Sequence, residues 1–327
     1  MLQYILRRSG YMLITLAIVA IVGYIIVELP PGSFVESEIQ RLRAQGLNLS
    51  GDQIANLTTR YGLDKPVYVR FWIWASGFVR GDFGQSFQYN LPVSRLIGAR
   101  LGFTVLISIL TLIFTWAIAI VVGVYSATHR YTLADYTITA FQFIGLAVPN
   151  FLLALILMVF AQRVLNQQVG GLYSSQYQNA PLSFAKFIDL LKHLWIPVVV
   201  LGFGGTAWLS RVMRANLLDV LNMQYVQTAR AKGLAENVVI WKHAVRNALH
   251  ALIMVLGGSL PGIISGETVV AIVLNMPTTG PLYFTALLQQ DMYLAVTFLM
   301  FLAILLVVGN LLADILLAYV DPRIRYE

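Results

Sequence analysis

Two carboxylates stand inside otherwise apolar runs of this 327-residue chain. Glu267 lies in Gly266-Glu-Thr-Val-Val, and Asp314 lies towards the end of the last apolar run. An ionisable group at membrane depth is costly and turns towards protein or a water path. Both are therefore candidates to line or gate a transport path; the plainer alternative is a hydrogen bond to a neighbouring helix. Pro261, Gly262 and Gly266 make the stretch beside Glu267 easy to break. Pro149-Asn150 interrupts another apolar run, where proline removes an amide donor and frees carbonyls. It marks either a hinge or an ordinary irregularity of a membrane helix.

The other concentration of chemistry is a charged island, Tyr225 to Asn247, between two long apolar runs. Tyr225 to Lys232 contains good helix formers. Gly233 stands where a helix ends, because glycine accepts the left-handed closing conformation, and Lys232 suits the negative end of the helix dipole. Glu236 opens a second helical segment. The pattern is a short helix, a tight turn and a second helix, exposed to water and held at both ends by membrane. Such a feature can be gripped and pushed from outside the bilayer, although cytoplasmic loops are basic in any case. Ala229, Gly233 and Val239 also have roughly the spacing of a DNA-binding helix-turn-helix. Membrane helices at both ends leave no separate domain for that role, so no nucleic-acid partner is expected.

Other chemistry is missing from the sequence. There are no cysteines, which excludes disulfides, thiolate metal sites and cysteine nucleophiles. His129, His193, His243 and His250 lack the i, i+4 spacing of a paired metal site. No G-x-x-x-x-G-K-[ST] loop exists to cradle a nucleotide. Gly202-Phe203-Gly204-Gly205 lacks the lysine and lies in a predicted span, where glycine permits close helix packing. No nucleophile–base motif is present either. No catalytic residue, metal site or cofactor is assigned to this chain.

These residues must be positioned by membrane helices. The chain is 58% hydrophobic and 11% charged, against about 25% charged in soluble domains. Its formal charge of +7 fits basic flanks meeting anionic lipid. Apolar runs at about 10–27, 101–127, 136–161, 194–213, 249–274 and 293–319 predict six transmembrane helices in an all-α integral membrane protein. The first is read as a retained span rather than a signal peptide, because Glu28-Leu-Pro-Pro offers no small-x-small cleavage site. Residues 1–29 form the N-terminal end and first span, 30–100 an extracytoplasmic loop, and 101–327 a five-helix core with a cytoplasmic loop at 216–248. Val69–Val79, bracketed by Arg70 and Arg80, is too short to span and is expected at the interface. Arg7, Arg8, Arg130, Arg211, Arg214, Arg230, Lys232, Lys242, Arg246, Arg323 and Arg325 fall on one side, and in the short segments Arg163, Lys186 and Lys192 on the other. That bias predicts cytoplasmic N- and C-termini. Arg211 and Arg214, at an inner helix end, are expected to snorkel.

The chain resembles, over essentially its whole length, the permease subunits of binding-protein-dependent ABC importers, in particular the dipeptide/oligopeptide/nickel branch. The resemblance rests on Tyr225-Val-Gln-Thr-Ala-Arg-Ala-Lys-Gly-Leu, Gly81-Asp-Phe-Gly-Gln-Ser, Val148-Pro-Asn-Phe, Ile264-Ser-Gly-Glu-Thr-Val and Val320-Asp-Pro-Arg-Ile-Arg, in that family's order along the chain. It implies a type I importer permease, a five-helix core plus an N-terminal helix, multi-pass in the plasma (inner) membrane of a prokaryote. It implies that Tyr225, Gln227, Thr228, Ala229, Lys232, Gly233, Leu234, Ala235 and Glu236 form the coupling helix and turn that dock on the ATP-hydrolysing subunit. Gln227 and Thr228 replace the family's usual glutamate and alanine, while Ala229 and Gly233 match. The implied partners are a second homologous permease, two ABC ATPases that carry the ATP and Mg, an extracytoplasmic solute-binding protein and the lipid membrane. The implied cargo is oligopeptides or dipeptides, with oligosaccharide, nickel or glutathione as alternatives. The altered outer turn Met276-Pro-Thr-Thr-Gly and the segment Asn166-Gln-Gln-Val-Gly-Gly do not choose among them. An ion-coupled secondary transporter would also explain the spans, Glu267 and Asp314, but needs no gripped helix.

Overall fold

The computed structural model describes the backbone of residues 2–30, 32, 34–46, 50–60 and 62–320, with the side chains of 2–9, 60, 257, 260–267 and 317–320 outside that description. In chain order the helices are α1 (Leu2–Glu28), α2 (Phe34–Ala44), α3 (Gly51–Arg60), α4 (Val67–Val79), α5 (Val93–Thr128), α6 (Leu133–Ala147) and α7 (Asn150–Arg163). They continue with α8 (Phe184–Leu221), α9 (Gln224–Ala231), the single turn α10 (Glu236–Val238), a π-helical segment (Val239–Val245), α11 (Arg246–Val273), α12 (Thr279–Leu288) and α13 (Met292–Val320). Among the described residues, the extended structure amounts to one isolated bridge between Gln85 and Pro92.

Four helices are long and apolar enough to cross a membrane: α1 from Gly10, α5, α8, and α13 as far as Leu316. The pair α6 and α7 passes the same test jointly but bends by 106° at its break. The run expected as one kinked helix at 136–161 is therefore two helices. Val148 is extended, with ψ 122°, as the residue before a proline prefers, and Pro149 precedes the first turn of α7. α4 has 13 residues and cannot span.

The chain divides into two compact units, Met1–Gly102 with Thr278–Leu305, and Phe103–Pro277 with Leu306–Glu327. In the first, α1 meets α4 through an aromatic cluster in which the Tyr24 and Phe71 rings are edge-on at 5.3 Å. Trp74 Nε1 donates to Thr297 Oγ1 at 3.2 Å. The Gly81-Asp-Phe-Gly-Gln-Ser stretch is a turn, with Gly84 at φ +77° and its amide donating to Asp82 Oδ1 at 3.0 Å. Its last member, Ser86, donates to the fully buried Asp291 carboxylate, which also accepts from the Gln88 amide.

In the second unit, α8 is the central post, and glycines set how closely its neighbours approach. A Cβ on Gly123 of α5 would lie 2.8 Å from the Ser210 carbonyl and 2.6 Å from Met213 Cβ. Gly202 seats the ring of Phe114, and Gly145 of α6 faces Ala207. In a bilayer, lipid tails give apolar helices no hydrophobic reason to associate, so such close contact supplies the attraction. Gly123→Leu should therefore separate α5 from α8, at a cost of about 1–3 kcal/mol from overpacking. A reduced unfolding midpoint of the purified protein and lower membrane abundance would report it.

Candidate functional site

The charged island folds as its residues suggest and adds one feature. α9 ends at Lys232, Gly233 adopts φ +77°, and the Gly233 amide donates to the Arg230 carbonyl at 2.9 Å. The Leu234 amide returns to the Ala229 carbonyl at 3.4 Å, a closing bond that requires the left-handed residue. Val226 and Ala229 are the buried residues of α9. They enter a core with Met213 and Leu217 of α8, Val124 and Ala127 of α5, and Val239, Ala244 and Leu252 beyond the turn. Tyr225, Gln227, Thr228, Lys232, Gly233, Leu234, Ala235 and Glu236 are all exposed. One face of α9 is thus anchored, and the opposite face and the turn are presented to solvent.

Internal bonds hold the presented face in shape. Arg230 Nη2 donates to Glu236 Oε1 at 2.6 Å across the turn. That hydrogen bond holds the Glu236 carboxyl below the usual carboxylate range and raises the Arg230 guanidinium, so the pair stays charged through neutral pH. Gln227 Nε2 donates to the Leu221 carbonyl at 3.3 Å and Thr228 Oγ1 to Gln224 at 2.9 Å. The Tyr225 hydroxyl accepts from Asn247 Nδ2, tying α9 to the start of α11. The π-helical turn at Val239–Val245 was not anticipated. It places Val239, Ala244 and Val245 inward on the anchored face, and one-turn π segments are frequent at functional sites.

A second arrangement, invisible in the local sequence, lies behind this core. Asp135 at the start of α6 is met by a bidentate fork from Arg214 of α8, Nη2 to Oδ2 at 2.8 Å and Nε to Oδ1 at 3.2 Å. Ser126 of α5 donates to the same carboxylate, and the Tyr131 amide reaches it at 3.0 Å. The side chains are 4% exposed for Asp135 and 28% for Arg214. Arg214 therefore does not snorkel as expected: a buried carboxylate needs its charge more than water does. The Thr132-x-x-Asp135 spacing of a helix start, with Thr132 Oγ1 accepting from the Asp135 amide, was the available signal. Its partner, 79 residues away, had none.

The pathway candidates separate. Asn150 lines a cavity of 720 Å³ with Gly205 and Trp208 of α8, Met254 and Ser259 of α11, and Asn310 of α13. Pro149 caps α7 and stays exposed beside it. Asp314, half-buried one turn beyond Asn310, is not among the lining residues. Glu267 falls where the backbone is helical but the side chain is outside the described residues.

Removing one partner of a buried, hydrogen-bonded ion pair strands the other charge and costs about 3–5 kcal/mol, whereas removing both costs less. Asp135→Ala should thus destabilise the permease more than the Asp135→Ala/Arg214→Met double variant. Thermal unfolding of the three proteins in one detergent checks the order.

Residues 119–326 match the family described as binding-protein-dependent transport system inner membrane component, and residues 1–109 match the N-terminal family of the same membrane components. The chain is 38% identical over 327 residues, covering 100% of both chains, to the oligopeptide transport system permease protein AppB of Bacillus subtilis. It is 28% identical over 327 residues, again with full coverage of both, to the oligopeptide transport system permease protein OppB of Haemophilus influenzae. The chain belongs to the inner membrane components of binding-protein-dependent transport systems: it is a multi-pass permease subunit of an ABC importer, a system that depends on ATPase and binding-protein partners.

Proposed function

We propose that this permease forms half of the translocation pathway of an oligopeptide importer, with six spans and both termini in the cytoplasm. It pairs with a second, homologous permease, two ATPases that hold the ATP and Mg, and an extracytoplasmic solute-binding protein. Peptide cargo is the reading supported by relatives named as oligopeptide permeases and matching from end to end.

Two contacts support the span count by parity. His129 and Arg130, after α5, line a 650 Å³ cavity with Arg230, Glu236 and Trp241, so both segments lie on one side of the membrane. Between them the chain passes through α8, one crossing, and through α6 with α7, and parity supports reading that pair as one broken crossing rather than a re-entrant loop. The Gly171 amide donates to the Leu274 carbonyl at 2.8 Å, so those residues also share a side. Between them lie α8 and α11, so a crossing by α8 is balanced by one in α11, which supports reading α11 as a span. Adding α1, α5 and α13 gives six. The basic bias puts the His129 and Arg230 side in the cytoplasm.

The observation that carries the coupling role is the division of α9 into a buried face at Val226 and Ala229 and an exposed, internally bonded tip. A push on the tip from an ATPase reaches α5, α8 and α11 through packed side chains rather than through a loose loop. Gly233→Pro tests this directly. Proline fixes φ near −65° and removes the amide, so neither the +77° conformation nor the bond to Arg230 survives. Uptake by the reconstituted complex should fall by about tenfold, equivalent to about 1.4 kcal/mol of docking free energy, while ATP hydrolysis and membrane insertion persist. Lys232→Glu should act in the same direction. Normal uptake in both variants would sink the docking role.

A further inference from the structure

Arg211 and Arg214 lie three residues apart on α8 and have opposite fates. Arg214 is consumed by Asp135. Arg211 is exposed, has no acidic side chain within ion-pair distance among the described residues, and stacks its guanidinium on the Phe143 ring at 5.0 Å from the centroid. Its direction is informative. Phe143 lies eight residues beyond Asp135 along α6, roughly 12 Å at the helical rise, on the side away from the cytoplasmic turn that precedes α6. The Arg211 side chain therefore points into the membrane rather than down to the inner surface, as the backward tilt of side chains towards a helix N-terminus favours. A cation so placed, facing hydrocarbon, would be costly, so it faces water, protein or a ligand.

The surroundings favour a wet, ligand-facing surface. Arg211 lines a 520 Å³ cavity with Thr139, Gln142, Phe143 and Trp208. Trp208, 45% exposed, also lines the 720 Å³ cavity that holds Asn150, Ser259 and Asn310. One face of α8 thus carries a sequence of small, aromatic and cationic groups, Gly205, Trp208 and Arg211, bordered by amides and two hydroxyls. An unpaired guanidinium presents a fork of donors suited to a carboxylate. Peptides of any sequence share one such group, their C-terminal carboxylate.

We propose that Arg211, held by Phe143, is a carboxylate-binding site on the translocation surface that receives the C-terminus of the passing peptide. The proposal rests on the transport reading above and names the contact within it. Amides and aromatic rings nearby suit backbone and side chains of varied cargo, so the charge contact recognises what all peptides have in common.

The chain has no cysteine, which makes the test direct. Thr139→Cys, in the cavity of Arg211, is introduced into the complete complex in lipid nanodiscs, with Ala215→Cys in the same cavity as a second reporter. Labelling of this chain by 2-sulfonatoethyl methanethiosulfonate and by its trimethylammonium counterpart is followed by mass spectrometry. The site should react, should prefer the anionic reagent, and should lose that preference about tenfold in Arg211→Gln but not in Arg211→Lys. Trialanine should slow the labelling and trialanine amide should not. Reporters inert to both reagents would mean that a partner chain or lipid covers this face, and would overturn the proposal. So would an unchanged preference in Arg211→Gln, or equal protection by the two peptides. Trialanine uptake by the unmodified complex is measured alongside: its absence counts against the peptide-import reading itself, whatever the labelling shows.

Discussion

A single buried carboxylate organises the end of the molecule that carries α9. Asp135 sits at the first turn of α6, and every group around it is a donor: the Arg214 fork, the Ser126 hydroxyl and the Tyr131 amide. A carboxylate out of water must be neutralised or fully bonded, and this one is both. The result ties three helices together at one point. α5 arrives through Ser126, α8 through Arg214, and α6 begins there. Leu217, one turn past Arg214, already belongs to the core that holds Val226 and Ala229 of α9. Rearrangement of α9 therefore acts on a knot of helices rather than on α8 alone.

The same economy appears in the first unit, around Asp291. It is buried, it accepts from Ser86 and the Gln88 amide, and it stands at the start of α13. Both carboxylates are helix-start residues whose side chains bind a turn, the adjoining one for Asp135 and a distant one for Asp291. In each case the turn carries a left-handed residue, Tyr131 in one and Gly84 in the other. The two units thus use one device to fix a turn against a helix without apolar bulk.

Much of this was legible in the chain. Hydrophobic run lengths placed the long helices, and Gly233 announced the end of α9 because few other residues close a helix in that conformation. The proline at 149 marked a break. What stayed hidden was relational. Arg211 and Arg214 read alike in sequence, since the carboxylate that distinguishes them lies 79 residues away in the chain. The 106° bend could not be read from Pro149, which frees a turn without setting its angle. The π segment at Val239–Val245 has the composition of any amphipathic helix, and its buried residues are Val239, Ala244 and Val245.

The length of α8 has a further consequence. At 38 residues it extends roughly 57 Å, while a bilayer with its headgroups is about 40–45 Å thick. At the tilt of roughly 20° usual for a membrane helix it still projects about 54 Å along the bilayer normal, more than that thickness. α9 follows the C-terminal end of that rod after two residues, as a beam rests on a corbel. Whatever length of α8 stands clear of the bilayer at that end is continuous helix rather than a separate stalk, so α9 is set off from the lipid by a stiff rod.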